Sequence, residues 1–194
     1  MSERVVLVAA SGLAREVAEA ALRAGLEVVG VVDDDPQLHG TTLPGGLPVL
    51  GGLDVLSDHP DAAVVLCPGR GAARAALATR LLGGGQVRFG TVVDPSCVVP
   101  PSCEVGEGSV LLAGTVLTAS VRVGRHVVCM PHVTLTHDDV VEDHVTLAAG
   151  VRLGGRVRVA EGAYLGMGAS VRQDLVVGKG ATLGMGAVLL EDKR

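Results

Sequence analysis

The sequence predicts two architectures in one chain: a small parallel α/β domain, then an all-β stack of six-residue repeats. Three observations predict this. From residue 93 to residue 189 every sixth residue is apolar. Residues 4–85 alternate short apolar runs with helical segments. The composition is poor in aromatics and rich in glycine: Phe89 and Tyr164 are the only members of the Phe, Trp and Tyr set, against 28 glycines and 48% hydrophobic residues. Aromatic side chains normally fill core volume. Here Val, Leu, Ala and Gly must fill it, which calls for a finely divided interior. Collagen is excluded because no strict G-X-Y period exists.

The first-half elements follow in order. Residues 4–9 (RVVLVA) read as a buried strand and residues 10–12 (ASG) as a turn. Residues 13–25 follow as a helix, with Val17, Ala18, Ala21 and Leu22 at helical spacing and Gly25 as its stop signal. A second strand covers residues 26–32 and runs into Asp33, Asp34, Asp35 and Pro36. Residues 40–52 read as a Gly/Pro-rich loop, 62–66 as a third strand, 67–71 (CPGRG) as a turn and 72–85 as a second helix. Strands alternating with helices argue for a Rossmann-like parallel sheet over residues 1–90. Ligands of such sheets sit beyond the carboxyl ends of the strands. This makes Ser11, Gly12 and Leu13 candidates for phosphate at a helix N-terminus. Asp33 and Asp34 could accept from a ribose or base, and Arg70 or Arg74 could pair with phosphate. Taken singly, the same features suit a structural turn and a solvated acidic loop.

In the second half, residues 91–194, the six-residue apolar column runs from Val93 through Leu111, Cys129, Leu147 and Leu165 to Leu189. Three residues after each member stands mostly Gly, Ser or His. Four after it stands a small or β-branched residue such as Val121, Val145 or Ala163. A helix needs spacings of three and four. A period of six reads as a short strand plus a turn, with one large and one small side chain inward. The charged tail EDKR suits a polar cap on a solenoid.

The net charge is −5 and no basic block occurs, which argues against a nucleic-acid partner. Apolar stretches such as residues 109–121 are too short and polar to span a membrane. No signal-peptide pattern opens the sequence, so a cytoplasmic protein with four free thiols is expected.

The repeat resembles that of the left-handed parallel β-helix acyltransferases, in which three hexapeptides make one triangular coil and residues 18 apart stack. The whole chain resembles the bacterial sugar O-/N-acetyltransferases, the family of sialic acid O-acetyltransferases and nucleotide-amino-sugar N-acetyltransferases. The matching stretches are AASG, VVDDDP, LPVLGGLDVL, FGTVVDPSCVV and LTHDDVVEDHVTLAAGVRLGGRVRV. The resemblance implies a nucleotide-sugar-binding N-terminal domain, acetyl-CoA as acetyl donor, and a homotrimer with the cofactor between adjacent prisms. Leu13 and Ala14 stand where the family usually carries His and a second Gly, and CPGRG replaces an IGdN-like run.

Four of the six histidines lie between residues 126 and 144. His126 and His144 are 18 apart and should stack. His132 and His137 are spaced like ligands in β-helix carbonic anhydrases, but the position two coils before His132 is Ser96, so no metal is expected. His137 followed by Asp138 matches the family's catalytic His-acid step, with Asp138 or Glu142 orienting the ring. Histidine suits a general base near neutral pH. The resemblance further implies His144, Gly155, Met167 and Met185 as contacts for acetyl-CoA. The expected reaction is N-acetylation of a nucleotide-linked amino sugar. The alternatives are O-acetylation of a free sugar such as sialic acid, or a non-catalytic trimeric scaffold.

Overall fold

The computed structural model describes residues 3–85 and 87–193; Arg194 of the expected cap lies outside them. The first strand, β1 (Arg4–Val8), pairs in parallel with β2 (Glu27–Val32) on one side and with β5 (Ala63–Leu66) on the other. Helix α1 (Gly12–Arg23) joins β1 to β2. Ser11 is its N-cap, with Oγ accepting from Ala14 N at 3.1 Å. Leu13, Ala14, Val17, Ala18 and Ala21 form its buried stripe, as the 3.6 spacing requires. Helix α2 (Gly71–Gly83) follows β5.

Residues 40–52 are not a loop. They hold β3 (Thr42–Leu43) and β4 (Leu47–Gly51), giving the sheet order β3-β4-β2-β1-β5. β4 runs parallel to β2, and β3 turns back antiparallel on β4. Gly30 permits the close approach: a Cβ there would lie 2.7 Å from Leu50 Cγ. Leu53–Asp58 forms a 3-10 helix.

From Val92 onward the chain winds as a triangular prism. Each face is a ladder of two-residue parallel strands whose partners are 18 residues apart, such as Cys129 with Leu147 and Leu147 with Leu165. The faces carry six, five and five strands. The apolar column predicted from the sequence fills the interior, with Leu111, Cys129, Leu147 and Leu165 fully buried. Full burial of each such leucine contributes about 1.5–3 kcal/mol. The turns sit at the prism's edges. Every sixth residue from Gly108 to Gly186 has a positive φ, including His126, His132, Asp138, His144, Arg156 and Asp174. Half of these left-handed positions are not glycine, a conformation that costs L residues energy. At the upper end Asp192 accepts from Val176 N, and Lys193 pairs beside Val177, so the tail extends one face as well as capping it.

The α/β domain docks on one face. Val92, Val110, Leu112 and Val128, which point outward from that face, are buried in a single cluster with Val5, Leu7, Val17 and Ala21. We call this the docked face. The second face carries Val116, Thr134, Arg152 and Ser170, and the third carries Arg122, Val140, Arg158 and Val176. Two locks reinforce the docking. Arg23 at the end of α1 pairs with buried Asp94 at 2.5 Å. Arg74 of α2, fully buried, is driven into the edge between the third and docked faces.

Candidate functional site

His137 stands on the edge where the second face meets the third. This edge lies opposite the docked face. Its imidazole is half exposed, and Nδ1 lies 2.8 Å from Asp138 Oδ2. A carboxylate can only accept, so Nδ1 carries the hydrogen, and in the neutral ring Nε2 is the acceptor. Glu142 is engaged elsewhere, with Arg158 and the Glu161 N–H. Asp138 is therefore the carboxylate that pairs with the ring. Directly above, in the next coil, is Gly155, where a Cβ would overlap the imidazole. A shallow depression of about 600 Å³, lined by Gly154, Arg172, Gln173, Asp174 and Leu175, continues up this edge.

A second constellation gathers at the carboxyl ends of β1, β2 and β5. Ala10 N donates to Asp33 Oδ2 at 2.7 Å, and Ser11 Oγ donates to Cys67 O at 2.9 Å. These bonds tie the three loops together. Gly12 opens α1 with open space where a side chain would project. A groove of about 410 Å³ leads from it along α1 to Pro44 and Pro48. Arg70 is exposed at the N-cap of α2.

The edge between the third and docked faces holds a histidine ladder. His126 and His144 stack with ring centroids 5.2 Å apart and planes 5° apart, and Phe89 meets His126 edge-on at 4.5 Å. Burial, aided by the neighbouring His144, Arg74 and Arg125, lowers the His126 pKa to about 4. Arg74 runs beside this ladder.

The comparisons with known proteins fit this geometry. Residues 4–81 match the PglD N-terminal domain family. WeeI from Acinetobacter baumannii is 31% identical over 98% of this chain and 93% of its own, with a TM-score of 0.87. The chain belongs to the bacterial sugar acetyltransferase family. The acetyltransferase domain of PglB from Neisseria gonorrhoeae, in complex with acetyl coenzyme A, is 27% identical, with a TM-score of 0.89 over 100% of this chain and 93% of its own. A variant perosamine N-acetyltransferase from Caulobacter crescentus, with CoA and GDP-perosamine, is 25% identical over 100% of this chain and 90% of its own, at TM-score 0.62. No curated protein matches the sequence. The chain is thus an acetyltransferase of the sugar-modifying type, built as an α/β domain on a left-handed parallel β-helix.

Within this acetyltransferase the structure sorts the residues singled out by sequence. His137, Asp138 and Gly155 come together. His144 does not join them in one chain. It lies on another edge, with its ring on His126 and its carbonyl oxygen accepting from Arg74 at 2.9 Å. Met167 and Met185 share the third edge with Ala149, as their 18-residue spacing requires, and both project outward. Leu13 is a core side chain, so only its N–H faces the loop cluster. Asp33 is occupied by Ala10 N and Asp35 N, and Asp34 by Arg80 at 2.5 Å.

Arg74 is unavailable to phosphate. Its guanidinium donates to the carbonyls of Pro68, Gly69, His126, His144 and Val145 and to Thr146 Oγ1. Desolvation lowers its pKa to about 10, which leaves it charged at neutral pH. Burial pushes the Cys67 and Cys129 thiols up to about 12, which makes both inert as nucleophiles. No group of three or more His, Cys, Asp or Glu side chains able to hold a metal occurs among the described residues.

Sequence reasoning passes over Asp139, buried beneath the His137 turn. Its signal is present in the sequence. Asp139 is the one carboxylate in the small inward column that runs Val121, Val127, Val133, Asp139, Val145, Val151.

Proposed function

We propose that this chain transfers the acetyl group of acetyl-CoA to the amino group of a nucleotide-linked amino sugar, with His137 as general base. The observation that carries the reading is the His137–Asp138 pair on an exposed edge, with Nε2 beside Gly155 and without a hydrogen-bond partner among the described residues. The relatives that bind acetyl-CoA, or CoA with GDP-perosamine, support it. His137 Nε2 takes a proton from the amino group as its nitrogen attacks the thioester carbon. The C–N bond forms, the C–S bond breaks, and the departing sulfur is protonated to give CoA thiol. Asp138 holds the ring in the Nδ1–H tautomer and stabilises the imidazolium that forms. Backbone N–H groups near Gly155 stabilise the oxyanion, an effect of roughly 3 kcal/mol per donor.

Gly12 N–H, Leu13 N–H and Arg70 are the groups left to take the nucleotide phosphates, with Ser11, Asp33 and Asp34 shaping the loops. These groups belong to the domain on the docked face, and His137 lies on the opposite edge. We therefore read the working unit as a homotrimer, in which the sugar loops of one copy face the His137 edge of its neighbour. Met167, Met185 and His144, each away from His137 within one chain, would contact the cofactor across that boundary.

The test is acetyl-CoA consumption with UDP-, GDP- and dTDP-linked amino sugars. The wild type should turn over at least one. His137→Ala should lower its kcat by about 10²–10⁴-fold with unchanged circular dichroism. A rate within threefold of wild type sinks the assignment. Turnover of free sialic acid alone would favour O-acetylation.

A further inference from the structure

In the prism, one backbone rung recurs at every turn. The residue after each two-residue strand that has a described coil above it, Thr136 apart, donates its N–H to that coil. Gly106, Leu112, Thr118, Gly124 and Met130 do so, and so do Glu142, Ala148, Gly154, Ala160, Gly166 and Arg172, at 2.7–3.1 Å. Thr136 is the exception. The carbonyl it would bond, Leu153 O, accepts instead from the Thr136 hydroxyl at 3.0 Å. Its N–H donates to Asp139 Oδ2 at 2.8 Å. The second oxygen, Asp139 Oδ1, accepts from Val157 N in the coil above at 2.9 Å.

His137 therefore sits in a turn closed twice: by Asp139 N donating to Thr136 O, and by the Asp139 carboxylate accepting from Thr136 N. The residue at the corresponding place in the other turns from 97 to 187 is Val, Ala, Leu, Cys, Ser or Thr. Ser109 shows the ordinary polar solution. Its hydroxyl accepts from Val127 N, 18 residues on, and donates to Gly124 O, leaving the regular rungs intact. Asp139 does more than this, because it captures an N–H that the ladder would otherwise use. A fully buried carboxylate is costly without compensating bonds. At neutral pH a prism built for stability alone would carry valine here.

We propose that Asp139 is a positioning residue for His137: its carboxylate replaces the missing rung and sets the station of the imidazole beside Gly155. The proposal rests on the reading of His137 as the base and extends it to the support underneath. Burial raises the Asp139 pKa to about 7, against the pull of the two N–H donors and of His137, with Asp138 adding to the rise. Of the other charged groups on this edge, Arg156 and Asp174 are paired with each other, and Arg172 is exposed two coils above. As pH falls through about 7 the carboxylate gains a proton, and one of its N–H partners loses its full acceptor. The bound turn is therefore best held above pH 7.

The decisive variant is Asp139→Ser. By the Ser109 precedent it can still accept from Val157 N, and it frees Thr136 N to restore the regular rung, so the variant folds. Asp139→Asn, which keeps the shape but offers one acceptor oxygen, is the conservative companion. Two readouts apply. The first needs no substrate: histidine ring NMR of the wild type and both variants, with His137 assigned by loss of its signal in His137→Gln. Asp139→Ser should shift the His137 ring signals and its titration midpoint while leaving those of His126 and His144 in place. The second is kcat on whichever nucleotide amino sugar the wild type acetylates. Asp139→Ser should lower kcat by about 10–100-fold with KM for acetyl-CoA changed less than threefold. Asp139→Asn should fall between the two and flatten the acid limb of the pH profile near 7.

Unmoved His137 signals together with a kcat within twofold of wild type overturn the proposal. So does a loss that appears only with a collapsed melting temperature. If the wild type acetylates no amino sugar, the functional reading fails by itself, and the NMR comparison alone decides the role of Asp139.

Discussion

The absence of a side chain at residue 155 is a demand of the ring below it. Gly155 needs no left-handed backbone, so alanine there meets no conformational strain. It would meet the His137 imidazole, which must then swing away. Gly155→Ala is expected to fold with a stability change within about 1 kcal/mol, since the half-exposed imidazole can turn away from the one methyl added. Its kcat should fall by about 10²-fold, because an ångström of displacement of a reacting group suffices for that. Unaltered kcat in a folded Gly155→Ala would mean the ring's present station is not the working one. The stacking of Gly155 on His137, and of His126 on His144, is readable from the sequence because the period of 18 is unbroken. The inward carboxylate at 139 is readable too, as a break in a column of valines. That Asp138, rather than Glu142, pairs with the ring is not readable: both are within reach on spacing alone, and only Arg158 drawing Glu142 away settles it.

At the scale of elements, local signals locate β1, β2, β5, α1 and α2 to within a residue or two. They fail over residues 40–52. There the strand β4 is short, contains Pro48 and is bounded by glycines, so propensity reads loop. Long-range pairing with β2, and the room made by Gly30, override it. Arg74 fails in the same way. An arginine near a Gly-rich turn in an α/β domain reads as a phosphate ligand, and nothing local says that another domain's carbonyls will surround it. Its actual work is to fasten α2 to the prism edge. Arg74→Ala should cost about 3–5 kcal/mol, the scale for removing one partner of a buried charged network. Arg74→Lys should recover only a part, since a single ammonium cannot reach acceptors spread around a planar fork. Thermal unfolding of the two variants checks this. A change below about 1 kcal/mol for Arg74→Ala would show the interface to be held by its apolar cluster alone.

At the scale of the molecule, one geometric fact governs function. A triangular prism has an edge opposite each face, and the α/β domain covers the face opposite His137. On the proposed reading, the loop constellation and His137 lie apart within one chain and meet only where copies assemble. Composition foretells the prism, since an interior with one large and one small residue per face has little room for rings. It does not foretell which face the first domain will cover, because outward residues such as Val92, Val110 and Val128 differ little from Val116 or Val140 until docking buries them. A site shared between neighbouring copies makes a sharp prediction. His137→Ala, defective at the base, and Arg70→Ala, defective at the sugar loops, should each be nearly inactive alone. Mixed by co-expression and purified through two tags, they should regain activity. In a three-copy ring, a boundary is intact when its base comes from the Arg70→Ala chain and its loops from the His137→Ala chain. Every doubly tagged ring has one such boundary in three, so about a third of boundaries are intact in a closed, symmetric assembly. Recovery of roughly a third of wild-type kcat is therefore expected. No recovery from a mixed assembly of confirmed stoichiometry would place the whole site in one chain.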